Sequence, residues 1–441
     1  MKIHLWILLF IILAGFISTC IADSLNPISD SLMIQIAQEN TIGNNDSIAV
    51  SSPGTESVDS NFIYPMPPER KALLISYSQF NNRWRFIEFF VDIALLALVL
   101  FTGLSSKFRE WARNLVKREF LAVLFYLLFF MIFIYAISFP FDYYREYIIE
   151  HEYGFSNQTF GDWFGDTLKS LAVGFVFGVP VVWILYWLIK RFKKWWLFFA
   201  VGSIPFIAFM MLIVPVVVSP LFNKFEPIKD QNLAHEMVAL AERAGIHNPD
   251  VFEVDASKQS SKVNAYFTGL FGTKRIVLYD TTIKNFTVNE LKFIMGHEIG
   301  HYLMHHIWYG LFMAVIFIFI AGFLTDKFMG GIINKQSRRF GFSSLGDVAS
   351  FPLVMLFITL FGFVFQPFSN GVSRYFEYQS DKFGLELSGV NGDEAATAFD
   401  KLSVFNLSDP EPSAIIEFWF YDHPALIKRM ENVKKLYAQT K

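Results

Sequence analysis

Charge is scarce in this 441-residue sequence: Asp, Glu, Lys and Arg make up 17% of it, against about 25% in soluble domains. That shortfall argues against an ordinary soluble globular enzyme. A single cysteine, Cys20, excludes an internal disulfide and any cysteine metal cluster. A formal net charge of -3 provides no global basic field for nucleic acid, so any electrostatic information lies in the local placement of Lys and Arg. What abounds is apolar: 53% of residues are hydrophobic, 18% are aromatic, and Phe alone occurs 52 times. Collagen-like, disulfide-framework and wholly disordered chains are excluded on these grounds.

A membrane-spanning helix needs about 20 mostly apolar residues. Seven runs qualify: Leu5 to Ile21, Phe86 to Leu104, Phe120 to Phe139, Leu171 to Ile189, Trp195 to Val218, Ile307 to Leu324 and Phe351 to Phe368. Residues 1–22 read as a signal peptide, with Cys20-Ile21-Ala22 a passable cleavage site, or as a retained first transmembrane helix. Residues 23–66, rich in Ser, Asn, Asp and Gly, read as a flexible polar linker. The remaining divisions are 67–222, transmembrane helices and loops; 223–306, a metallopeptidase segment; 307–368, two transmembrane helices; and 369–441, a C-terminal helical segment.

Basic residues flanking membrane helices are retained in the cytoplasm. Lys107, Arg109, Arg113, Lys117 and Arg118 follow the second run; Lys190, Arg191, Lys193 and Lys194 follow the fourth; Lys327, Lys335, Arg338 and Arg339 follow the sixth. These alternate loops agree with one another. The acid-rich loop Pro140 to Lys169 then lies outside, and by alternation so do residues 219–306 and 369–441. The chain reads as a multi-pass integral membrane protein with its catalytic face extracytoplasmic.

Between the runs, residues 229–246 have helical spacing, Val251 to Val254, Val263 to Phe267 and Arg275 to Tyr279 read as strands, and a helix resumes near Val288 behind a Thr287–Glu290 capping box. That helix carries His297-Glu298-Ile299-Gly300-His301. Four residues advance a helix by about 6 Å and return to nearly the same face, so both imidazoles can reach one zinc ion. Glu298 beside the metal can take a proton from water and pass it to a leaving amine. His305 lies too far along the helix to share the metal. It and His306 read as outer partners of the site or as membrane-surface residues. A further metal ligand ten residues after His297 is excluded, since that position is Ile307.

A catalytic zinc needs a third protein ligand. Glu377 and Asp381, at i and i+4 and on the same expected side of the membrane, suit a ligand and a carboxylate that accepts the spare N–H of a ligand histidine. By themselves they also fit a solvated acidic face. Glu88 and Asp92, one turn apart in the second run, read as lining an interior cavity or as partners of Arg83 or Arg85.

With these residues in place, the sequence resembles the type I CAAX prenyl protease family, integral-membrane zinc metalloendopeptidases of the gluzincin group. The resemblance runs from about Pro67 to Leu436 through Glu150 to Thr159, Pro220 to Pro227, Ser261 to Phe267, Lys274 to Thr281, the His297–His301 helix, Arg374 to Asp381 and Asp422-His423-Pro424. It implies a mainly α fold: a multi-pass transmembrane helical bundle enclosing a chamber, with a zincin-type catalytic domain carrying a small β-sheet. It implies one zinc held by His297, His301 and Glu377, with Glu298 as base and Asp381 behind the ligands. His423 would stabilise the oxyanion, Arg374 would position it or the substrate, and Asn264, Ala265 and Tyr266 would pair with extended substrate main chain. From the residues alone, Asn264 also fits a strand-end turn and Tyr266 a core aromatic.

The resemblance implies hydrolysis of peptide bonds in a peptide or protein substrate, lipidated or not, in contact with membrane lipids and without nucleic acid. An envelope or membrane-protein quality-control protease without prenyl specificity is the alternative within the class; a transporter or channel is the alternative outside it. The family's pattern is departed from at Ala425, where a second proline is usual, and at Ser380, where alanine is usual. The family's eukaryotic members act from the cytosolic side, whereas the basic loops here place the catalytic face outside.

Overall fold

The structure, a computed structural model, describes residues 68–269 and 274–440. The reading of residues 1–22, Cys20 included, and that of the whole linker therefore lie outside the described residues.

Helix α1, Pro68–Phe101, spans 34 residues, about 51 Å at 1.5 Å per residue and far longer than a bilayer's hydrocarbon core of about 30 Å. The sequence pattern shows only its apolar half, because the polar face before Phe86 hides the helix from a hydropathy window. It bends by 63° into α2, Leu104–Leu115. Gly103 at the bend has φ +68°, a conformation only glycine adopts cheaply, so the run expected to continue to Leu104 breaks before it.

Helix α3, Glu119–Asp142, continues through a π-helical turn, Tyr143–Ile149, as far as Glu152. Helix α4, Phe160–Arg191, starts where Thr159 caps the Asp162 N–H. The expected loop from Pro140 to Lys169 is thus mostly helical. Helix α5, Trp195–Ile213, is followed by a second π-helical turn, Val214–Val218.

A four-stranded sheet comes next: β1 Phe225–Pro227, β2 Asp250–Val254, β3 Ala265–Thr268 and β4 Arg275–Tyr279, in the order β1-β2-β4-β3. β2 and β4 are parallel, and the outer pairings are antiparallel. β1 has no counterpart in the sequence reading. β3 begins two residues later than expected, because the Asn406 side chain takes both main-chain groups of Val263, at 3.0 and 3.2 Å. Helix α6, Gln231–Arg243, buries Leu233, Met237, Leu240 and Ala241, the apolar stripe its spacing predicts. These residues share a core with Ile276 and Leu278 of the sheet.

Helices α7, Asp280–Asn285, and α8, Val288–Leu303, lead into α9, His306–Phe340. Helix α10, Phe351–Ser388, joins the seventh apolar run and the Glu377–Asp381 segment in one continuous element. Helices α11, Gly392–Asn406, α12, Ala414–Phe420, and α13, Leu426–Gln439, complete the chain. Among the described residues five helices are long and apolar enough to cross a membrane, or six if the bent α1–α2 pair is one span.

Helices α9 and α10 run between two unlike ends. At one end the basic loops meet: Arg109 pairs with Asp347 and donates to the Gly341 carbonyl, Arg339 donates to the Phe101 carbonyl, and Lys190 pairs with Glu119. At the other end lie His306 and the Glu377–Asp381 turn.

Helices α8 and α10 touch through their backbones. A Cβ on Gly384 would stand 2.7 Å from the His297 nitrogen, and one on Gly296 would stand 3.0 Å from the Gly384 carbonyl oxygen. Gly300, one turn on, packs against Phe383, whose ring a Cβ there would meet at 3.1 Å, giving α8 a small-residue groove of the kind that lets helices approach closely. Gly384→Ala is expected to force the helices apart at a cost of about 1–3 kcal/mol. The measurements are melting temperature and bound metal per chain; an unchanged metal content would show that this contact does not set the metal-binding geometry.

Candidate metal centre

Helix α8 begins in a complete capping box: the Thr287 N–H reaches Glu290 Oε2 at 2.7 Å, and the Glu290 N–H reaches Thr287 Oγ1 at 3.3 Å. Leu291, Ile294 and Met295 are buried on its core side. His297 and His301 therefore sit on a helix fixed at its start and along one face. The helix ends at Leu303, and His305, with φ +61°, turns the chain into α9.

Three side chains from two helices converge. His297 Nε2 and His301 Nε2 are 3.0 Å apart; Glu377 Oε2 lies 3.4 Å from His297 Nε2, and Glu377 Oε1 lies 3.2 Å from His301 Nε2. Ligands about 2.0–2.1 Å from a tetrahedral ion stand about 3.3 Å from one another, so this donor set fits one small divalent metal. Glu377 is 3% exposed and Asp381 0%, which overturns the solvated-face reading of that helix turn. Among the described residues this is the only His, Cys, Asp and Glu group with metal-binding geometry.

Behind the ligands, Asp381 Oδ1 lies 2.9 Å from His297 Nδ1, so the carboxylate can fix that ring with Nε2 toward the metal position. His301 has a different outer partner, His306, whose Nδ1 is 3.0 Å from His301 Nδ1 and whose ring stacks on Phe376 at 4.2 Å. Of the two places considered for His305 and His306, the first is exposed at the helix break and the second is buried against the site.

Burial disfavours charge on His297, but the Glu377 carboxylate and the Asp381 hydrogen bond outweigh it and lift the imidazole pKa to about 9.

The sequence reading missed Arg429. Its Nε lies 2.9 Å and its Nη2 2.5 Å from the two Asp381 oxygens, and Nη2 is also 3.1 Å from Glu377 Oε2. The guanidinium packs 4.3 Å from the centre of the Phe399 ring. Burial opposes its charge, yet Asp381 and Glu377 hold its pKa above the ordinary arginine value. A signal was available: Arg429 falls on the stripe of α13 otherwise formed by Leu426, Met430 and Val433, and an arginine on a buried face needs an acid opposite it.

Glu298 is half-buried, next in sequence to the first ligand. His423 Nε2 lies 3.4 Å from Glu377 Oε1, and its Nδ1 lies 2.9 Å from Asp422 Oδ1. Arg374 does not reach into the donor set. Its Nη1 donates to the carbonyls of Glu417 and Tyr421, at 3.0 and 2.5 Å, just ahead of His423.

β3 is an edge strand beside α8, with the Phe267 ring 4.8 Å from that of Tyr302. The Asn264 carbonyl accepts from Tyr279 of β4 and from Thr282, at 3.1 and 2.7 Å, while Asn264 Oδ1 covers the Ala265 N–H at 2.7 Å. Tyr266 is buried with Val254, Val277 and Tyr279. Strand alternation therefore turns the Ala265 carbonyl and the main-chain groups of Phe267 toward the open edge.

Two family models divide the chain between them. Residues 68–224 match the N-terminal five-membrane-helix region of CAAX prenyl proteases, and residues 227–437 match peptidase family M48. An uncharacterised metalloprotease of Bacillus subtilis is 34% identical over 384 residues, covering 87% of this chain and 89% of that protein. CAAX prenyl protease 1 of Saccharomyces cerevisiae is 32% identical over 319 residues, covering 67% and 68%. The crystal structure of S. mikatae Ste24p is similar in fold, with a TM-score of 0.73 at 24% identity, covering 97% of this chain and 99% of that one.

Removing the Arg429 guanidinium behind the donor set should leave Asp381 and Glu377 buried without their arginine counter-charge, a change that costs up to about 3–5 kcal/mol in comparable pairs. Arg429→Met is expected to weaken metal retention by about 10- to 100-fold and to lower the melting temperature, with Arg429→Lys recovering part of both. Metal content after dialysis is the measurement, and full retention by the Met variant would remove Arg429 from the site.

Proposed function

The chain belongs to peptidase family M48 and is a multi-pass, membrane-embedded metallopeptidase; from that premise we propose that it is a zinc endopeptidase whose metal is held by His297, His301 and Glu377. The observation that carries this reading is the spacing of the three donors, 3.0 to 3.4 Å, on two helices in backbone contact. Two imidazoles and one carboxylate suit zinc. When bound there, zinc supplies a lowered water pKa and polarises the scissile carbonyl.

This chain's own residues do the rest. Glu298, adjacent to the ligands, accepts the proton of the attacking water and returns it to the leaving amine. Asp381 holds His297 in the tautomer that leaves Nε2 free, and His306 does the same for His301. His423, beside Glu377 and backed by Asp422, donates to the oxyanion as it forms. The open edge of β3 pairs with extended substrate main chain through the Ala265 carbonyl and Phe267, which leaves side-chain selectivity to other surfaces.

The agreement of the basic loops supports a catalytic face outside the cytoplasm. The substrate is then an envelope or membrane protein rather than a cytosolic prenylated one. Comparing prenylated with unprenylated C-terminal peptides separates the two, since no residue of the donor set reads a lipid. A transporter or channel is not favoured: it leaves the donor set and the match to a peptidase family without a role.

Glu298→Gln is expected to retain zinc while casein cleavage falls by at least about 100-fold; unchanged cleavage would sink the assignment. Stripping the metal with a chelator should abolish cleavage and lower the melting temperature, because a ligand of the native state stabilises it. Re-addition of zinc should restore both. For sidedness, a Gln439→Cys chain carrying Cys20→Ser should react in intact cells with a membrane-impermeant thiol reagent, and protection until the membrane is breached would place the site in the cytoplasm.

A further inference from the structure

His423 follows a seven-residue helix, α12, which is too short to hold itself. The Tyr421 N–H closes the last turn on the Glu417 carbonyl at 3.3 Å, and the carbonyls that follow need donors from outside the helix. Side chains from two membrane helices receive them. From α10, Asn370 donates to the Trp419 carbonyl at 2.8 Å, and Arg374 donates to those of Glu417 and Tyr421. From α1, Arg85 Nη1 donates to the Phe420 carbonyl at 3.1 Å, and its guanidinium lies 5.6 Å from the centres of both the Phe420 and Tyr421 rings.

The same face of α1 continues the grip. Ser78 and Asn82 are hydrogen-bond partners of Tyr421, and Phe86 meets Phe420 edge-on with ring centres 4.9 Å apart. Beyond His423, Glu417 Oε1 accepts the Ala425 N–H at 3.1 Å and closes the turn. The two main-chain carbonyls immediately before Asp422-His423 are thus held from two different helices, Phe420 by Arg85 and Tyr421 by Arg374.

We propose that Arg85 is a positioning residue for peptide hydrolysis, acting with Arg374 through the main chain of Phe420 and Tyr421 to hold His423 over the Glu377 end of the donor set. This rests on the reading of His423 as the oxyanion donor. A cationic donor at the end of a short helix both satisfies a carbonyl and opposes the negative end of the helix dipole. Its place on α1 makes the geometry of the site depend on the separation of α1 and α10.

The test uses the full-length protein in detergent with labelled casein as substrate. It compares Arg85→Met, Arg85→Lys, His423→Ala and the Arg85→Met/His423→Ala pair. Arg85→Met is expected to lower kcat by about 10- to 100-fold with KM within about twofold, metal content and melting temperature as in the parent, and partial recovery in Arg85→Lys. On the His423→Ala background the Arg85 substitution should add nothing. An unchanged kcat, a loss of the same size on both backgrounds, or a loss that tracks metal content would overturn the proposal. If His423→Ala itself cleaves at the parental rate, the oxyanion reading fails and this inference with it; a slow His423→Ala with a fully active Arg85→Met defeats the inference alone. Should Arg85→Met not accumulate, Arg85→Lys on both backgrounds gives the same comparison, because lysine keeps the charge but loses the planar fork.

Discussion

Helices α8 and α10 approach until the Gly296 and Gly384 backbones touch, and the chemistry of the molecule follows from that contact. No room exists for a Cβ between the His297 nitrogen and Gly384. Two turns before Gly384 on α10, Glu377 is brought within 3.4 Å of both histidine nitrogens, while Asp381 is brought against the back of His297. At an ordinary interaxial distance of about 8–10 Å, set by larger side chains, the carboxylate would fall short of the imidazoles. The glycines are therefore as necessary to the donor set as the donors themselves.

The contact places two carboxylates in a space closed to water, which is costly unless the charge is answered. Arg429 answers it from α13 through a two-pronged hydrogen bond to Asp381 and a further contact with Glu377. The C-terminal helix thus has a stake in a site whose ligands lie elsewhere in the chain. A second buried cluster fastens the catalytic segment to the membrane helices. Lys262, just before β3, meets Glu150 at 3.3 Å and the Tyr77 hydroxyl at 3.1 Å, while Arg145 pairs with the same Glu150. The edge strand and the metal helix are each anchored by charge to a different part of the shell.

The length of α1 explains how one membrane helix serves so many partners. About 14 of its 34 residues exceed what a bilayer requires, and many of its polar contacts lie in the half before Phe86. On that half Arg70 reaches the Val404 carbonyl, Tyr77 reaches Glu150, and Arg85 reaches Phe420. An arrangement of this kind makes the membrane helices part of the catalytic framework rather than only its anchor.

Local pattern alone determined the apolar spans among the described residues, the capped helix with His297 and His301, and the amphipathic α6, because helical periodicity and capping are properties of neighbouring residues. It also supplied Glu377 and Asp381 as a pair, although their burial was invisible to it. The break at Gly103, the helical stretch inside the supposed Pro140–Lys169 loop, and the delayed start of β3 escaped, since a helix bend, a π-helical turn and the grip of Asn406 depend on what packs nearby. Arg374 illustrates the limit most clearly: its type and position were legible, but its partners are main-chain carbonyls more than forty residues away. Sequence determined which groups are offered for the proposed binding of a metal and transfer of a proton. Tertiary structure decided that they meet, because only the packing of α8, α10, α12 and α13 against the membrane helices brings donors, counter-charge and His423 to one point.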